Sequence, residues 1–205
     1  MGSAGFKQQL LLALVLLPIT FALWYASAQL LVAPASLVSD WILRFWLSDL
    51  VTSSGLSGTT FVVETSLGSM NGAIVPAKTA GNVITFEIDT NLVSYSLPFY
   101  TALLWASRVD RQLDKFLFGL VTIWCLMAIG VTAMIAKEMM FAIPDAFASA
   151  AGRPSPHIVA LSYQFNVLLM PTLSPVALWL YQLRGSPLWD ELSRRLDEAS
   201  NTRFD

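Results

Sequence analysis

The sequence predicts a mainly α membrane protein: four transmembrane helices, an interfacial amphipathic helix and a small extracytoplasmic β-sheet of two or three strands. Three observations predict it. First, 55% of the 205 residues are hydrophobic and only 13% are charged, about half the roughly 25% charge of an ordinary soluble domain. Second, long stretches carry no charge at all. Third, one segment breaks that pattern. Thr52 to Asp89 is rich in Ser, Gly and Thr and contains runs that alternate apolar with polar residues, the period of a strand. The same composition excludes a disordered chain and a disulfide scaffold. A net charge of −2 offers no basic surface for nucleic acid.

The first element is expected over residues 1–35. Leu10 to Val32 is uncharged and long enough, at about 1.5 Å per residue, to cross a hydrocarbon core of about 30 Å. Lys7, the apolar stretch and Ala26-Ser27-Ala28 also have the layout of a signal peptide. The apolar run continues through Leu30, Leu31 and Val32, so a retained helix is expected. Pro34 should end or kink it. Residues 36–51 then read as an amphipathic helix at the membrane surface. Leu37, Trp41, Ile42 and Phe45 recur at helical spacing, and Asp40 and Arg44 are four apart and can pair.

Residues 52–90 form the β segment. Thr59 to Thr65 reads TTFVVET, and Ile84, Phe86 and Ile88 alternate with Thr85, Glu87 and Asp89. Asn71-Gly72 is a hairpin turn signal, and Ile74-Val75 adds a short middle strand. So small a sheet is weak alone and needs something to rest on. Its residues Thr59, Phe61, Val63, Ile84, Phe86 and Ile88, with Trp41 and Phe45 of the preceding helix, are the candidate partner contacts. Residues 91–183 then hold three further spans: Asn91 to Ser107, Phe116 to Ala136, and Ile158 to Leu183. Residues 184–205 form a cytoplasmic tail, with Leu188, Leu192 and Leu196 spaced for a short surface helix. Eight of the twelve basic residues fall on the sides assigned to the cytoplasm. That bias puts both termini in the cytoplasm and the β segment outside.

Candidate chemistry is sparse. One histidine excludes a multi-histidine zinc site, and one cysteine excludes an internal disulfide. No phosphate-binding glycine motif and no G-x-S-x-G occurs. Cys125 and His157 are the one nucleophile–base pair the sequence offers, yet Cys125 falls mid-span and His157 at a span's end. Gln164, Asn166, Thr172 and Ser174 lie in the last span, where polar side chains pack helices or line a pocket. No cofactor or metal is expected.

One family resemblance rests on LPITFALWYASAQLLVAP, on TFEIDTNLVSYSLPFYTALLWASR, and on LSYQFNVLLMPTLSPVALWLY. Together they cover most of the chain from Leu10 to Gln182, with Leu97 to Tyr100 and Tyr163 to Val176 as the most specific pieces. This pattern resembles the exosortase H-associated membrane proteins, small bacterial inner-membrane proteins. The resemblance implies an association with a sorting transpeptidase and supplies no catalytic motif. Cys125 sits in IWCLMA, outside the setting expected of the transpeptidase itself. The reading that follows is a non-enzymatic inner-membrane accessory or assembly subunit, tied to protein sorting or surface and secretion machinery. It would act through its β segment and helices on other membrane-protein subunits, in a homo- or hetero-oligomer within the lipid bilayer. A membrane-embedded Cys/His processing enzyme and a small-solute or lipid-binding protein are the alternatives.

Overall fold

The computed structural model describes residues 3–186 together with 189, 190, 193 and 194. Its first element, α1 (Ser3–Trp46), is one helix of 44 residues. The helix runs through Pro34 rather than ending there, which corrects the separate helix expected over 36–51. A proline inside a helix removes one ladder hydrogen bond, and apolar helices tolerate this where hydroxyls and neighbours satisfy nearby carbonyls. Ser36 Oγ donates to Val32 O at 3.1 Å, and Thr20 Oγ1 donates to Leu17 O at 3.0 Å beside Pro18.

The β segment follows as β1 (Val51–Ser57), β2 (Thr60–Thr65), β3 (Leu67–Met70), β4 (Ala73–Pro76), a short α2 (Ala77–Ala80) and β5 (Thr85–Asp89). β1, β2 and β5 form an antiparallel sheet in the order β1-β2-β5, while β3 and β4 form a separate hairpin. Asn71 and Gly72 both have positive φ, 53° and 81°, as a two-residue hairpin turn requires. Two of these strands, β1 and β3, go beyond the two or three expected.

Gly68 in β3 has a packing role. A Cβ there would overlap the Asn82 carbonyl. The Asn82 side chain also acts as a strand partner: its Oδ1 accepts from Ser69 N at 2.8 Å and its Nδ2 donates to Ser69 O at 2.9 Å. Gly68→Ala should therefore loosen the hairpin by about 1–3 kcal/mol, the usual cost of overpacking. Faster amide exchange over residues 67–82, with β2 unchanged, is the expected readout.

Beyond the sheet come α3 (Asn91–Ser94), α4 (Ser96–Ser107), α5 (Gln112–Ala142), α6 (Pro144–Ser149), α7 (Pro156–Tyr163), a π-helical stretch (Gln164–Leu169) and α8 (Met170–Leu183). Among the described residues two helices, not four, are individually long and apolar enough to cross a membrane: α1 from Lys7, and α5. The second expected span is split at Tyr95, and the 12 residues of α4 reach only about 18 Å. The fourth is divided by the π-helical stretch, where Met170 N–H bonds back to Phe165 O, five residues away. Pro171 has no N–H to give, so the ladder loses a donor where it returns to α register. The surface helix expected from Leu188, Leu192 and Leu196 lies outside the described residues.

The chain divides into two units. One comprises Met1–Ala26, Ser96–Val121 and Thr172–Asp205; the other comprises Ser27–Tyr95 and Thr122–Pro171. In the first, Tyr100 is fully buried against Phe116, their rings stacked with centroids 6.3 Å apart. Gly119 leaves the room that this ring occupies, since a Cβ there would overlap it. Trp179 Nε1 donates to Ser107 Oγ at 2.5 Å.

In the second unit, Ala28, Val32, Ala35, Ser39 and Leu43 form the buried stripe of α1. Their three- and four-residue spacing puts them on one face, and the small Ala28, Ala35 and Ser39 among them permit close helix approach. Ser39 Oγ lies 3.1 Å from Ala128 O of α5, and Trp124 Nε1 donates to Leu31 O at 2.8 Å. Indole N–H groups in apolar surroundings need such an acceptor.

Candidate functional site

The β-bearing unit holds the most distinctive surface. β2 is the central strand, and its register pairs Phe61 with Ile88 and Val63 with Phe86. Period-two alternation puts these four on one face, and all four are buried. This corrects their assignment as partner contacts: they form the core of the sheet itself. Thr59 and Ile84 are half-buried. Thr59 is a clasp, since Thr90 donates to its carbonyl from both N (3.0 Å) and Oγ1 (2.6 Å), and Asn91 Nδ2 donates to its hydroxyl at 3.2 Å. Ile84 O accepts from Thr65 N at 3.0 Å and from Thr65 Oγ1 at 2.9 Å.

The strand order leaves β1 at one edge and β5 at the other. An edge strand presents a row of backbone donors and acceptors to any incoming strand. β1 is only half-covered, and Gly55 faces open space: a Cβ added there would meet no atom within 4 Å. Asp40 fixes β1 onto α1. Its carboxylate accepts from Ser54 Oγ and also from Arg44 Nε at 2.7 Å. The Asp40–Arg44 pair expected from the spacing is present, and the additional grip on Ser54 was beyond reach of a helix-only reading.

The same turns of α1 carry Trp41 and Phe45. They are 67% and 78% exposed and stack on one another, centroids 5.9 Å apart. Leu37 and Val38 are exposed as well. So one large apolar face of this stretch points away from the unit's core, while Ala35, Ser39 and Leu43 turn inward. Contiguous exposed apolar surface of this kind marks contact with lipid or protein.

A pocket of about 240 Å³ lies within this unit, lined by Ile42, Trp46, Ile129, Ala133, Ile158 and Ser162, among others. Its wall is fixed nearby by Gly152, where an added Cβ would overlap the Trp46 carbonyl. No single stretch of sequence signals this pocket, because its residues come from α1, α5 and α7.

The remaining candidates are not brought together. Cys125 is exposed on α5 and His157 is exposed in the first turn of α7; neither makes a hydrogen bond to the other. Asn166 packs against Gly130 of α5 and donates from Nδ2 to Ser162 O at 3.0 Å, a helix-packing arrangement. Gln164 and Thr172 are exposed and Ser174 is buried. Among the described residues, no three His, Cys, Asp or Glu side chains are grouped to hold a metal ion.

Residues 3–186 match the family described as exosortase H-associated membrane protein. No curated protein and no solved structure matches the chain.

Proposed function

The chain belongs to the exosortase H-associated membrane protein family, and from that premise we propose that it is a non-catalytic accessory subunit. It binds its partner through the β1 edge and the exposed Trp41/Phe45 face of α1. The observation that carries this reading is the juxtaposition on one helix–strand unit of an edge strand and a stacked, exposed aromatic pair, joined by Asp40. Edge pairing supplies backbone hydrogen bonds without demanding one sequence. Buried aromatic anchors supply most of the energy in many interfaces. The family's description names the partner to test first, exosortase H. The family resemblance points to a multi-pass protein of the bacterial inner membrane, and the distribution of basic residues supports cytoplasmic termini with the β segment outside.

The test is co-purification in mild detergent after co-expression with the exosortase H of the same genome. A stoichiometric complex is expected from the unaltered chain. Gly55→Lys places a charge on the edge strand in open space, a device that discourages strand addition. Trp41→Ala with Phe45→Ala removes the aromatic pair without touching the core. Each should reduce recovery of the partner at least tenfold while the far-UV circular dichroism stays unchanged. Full recovery with both variants would sink the proposal. The apolar pocket beneath Ile42 and Trp46 favours one further reading, occupancy by a short acyl segment or a partner's aliphatic side chain. Ala133→Phe would fill that pocket and separate its role from that of the strand edge.

A further inference from the structure

We propose that the groove beside the start of α5 and the end of α8 is a binding site for the phosphate of an anionic phospholipid. It lies wholly within the unit that lacks the sheet, and nothing in the accessory role above requires it. The groove has a volume of about 620 Å³ and is lined by Arg111, Asp114, Lys115, Phe118, Gln182 and Arg184, with Tyr181 beside them. Three cations therefore face one carboxylate. That carboxylate is already engaged: Arg111 Nε donates to Asp114 Oδ2 at 2.8 Å.

The rest of the cationic equipment is held in place but not neutralised. Lys115 Nζ donates to the Gln182 carbonyl at 2.9 Å, which uses one of its three donors. Gln182 Nε2 returns a bond to Lys115 O at 2.9 Å, so the two residues lock one another across the helices. The Arg184 guanidinium stands 5.5 Å from the Tyr181 ring and 5.9 Å from the Trp189 ring. Such stacking orients a guanidinium while leaving its N–H fork free for an oxyanion. Among the described residues no carboxylate pairs with Arg184.

Position selects lipid as the source of the phosphate. The groove sits at the first turns of α5, a helix long and apolar enough to span a bilayer. Leu113, Leu117, Phe118 and Val121 of that helix are all at least half exposed, an apolar surface leading away from the cations. Tyr and Trp beside basic residues at a span's end are the residues that favour the headgroup layer. Basic pockets of this kind between helices recognise anionic headgroups.

The experiment uses the whole protein, delipidated in detergent and titrated with dioleoyl phosphatidylglycerol or dioleoyl phosphatidylcholine, with bound lipid counted by native mass spectrometry. Phosphatidylglycerol should be retained at least fivefold more than phosphatidylcholine. Arg111→Gln combined with Arg184→Gln should abolish that preference, while thermal unfolding stays at the unaltered midpoint because both side chains are exposed. Lys115 is left intact, since it also holds Gln182. Inorganic phosphate is the third arm. Equal retention of the two lipids, an undiminished preference in the double variant, or displacement of phosphatidylglycerol by millimolar inorganic phosphate would each overturn the assignment to lipid. Because the readout is lipid retention, it is independent of whether the β1 edge binds a partner.

Discussion

Tyr100→Ala is expected to lower stability by about 3–5 kcal/mol, the range for removing a buried aromatic side chain. Tyr100 has no exposed surface. Its ring fills the space that Gly119 leaves open and stacks on Phe116. Its hydroxyl lies 2.7 Å from Lys115 O and 2.8 Å from Gln182 Oε1. One proton serves those two acceptors in turn, and Gln182 Nε2 covers the Lys115 carbonyl independently. Tyr100→Phe separates the two contributions. It keeps the ring and leaves Gln182 Oε1 without a donor, a change worth about 1–3 kcal/mol in a buried site. Thermal unfolding in detergent should rank the midpoints unaltered, then Phe, then Ala. An Ala variant that melts with the unaltered protein would mean that this ring does not hold α4 to α5.

Phe61→Ala should cost a similar amount, about 3–5 kcal/mol, and the cost should fall on the sheet. Phe61 is fully buried opposite Ile88, and its neighbours on that face, Val63 and Phe86, are buried too. A three-stranded sheet has little else to hold it. Amide exchange should accelerate across β2 and β5 in the isolated protein. This outcome distinguishes a core residue from a contact residue. If Phe61 served a partner, its truncation would leave the isolated protein's exchange untouched and weaken only the complex.

What was legible in the sequence depended on whether a local pattern decides the structure. The charge-free runs identified α1 and α5, because length and apolarity alone make a helix able to span a bilayer. The alternation in TTFVVET and around Phe86 identified β2 and β5, and Asn71-Gly72 located the β3–β4 turn. β1 was not legible: VTSSGLS has few branched or aromatic side chains, and its strand state comes from pairing with β2 and from Asp40. Pro34 misled because a proline ends helices in water more readily than in an apolar helix with satisfied neighbours.

The site was harder still. Period two says that Phe61, Val63, Phe86 and Ile88 share a face, but not whether the face turns inward. On α1 the same ambiguity ran the other way. The large residues Leu37, Trp41 and Phe45 marked a face that is exposed, while Ala35 and Ser39 made the buried contact. Small residues are faint signals in a sequence and strong ones in helix packing. The basic groove draws on residues far apart in the chain, Arg111 and Arg184, so no motif announces it.

The most direct test of the proposed accessory role is site-specific photo-crosslinking in cells, with a photoreactive amino acid placed at Gly55 or at Trp41. A crosslinked adduct containing exosortase H is expected from both positions. No adduct is expected from a control position buried in the same unit, Val63. Adducts with lipid alone from Trp41, together with none from Gly55, would contradict it.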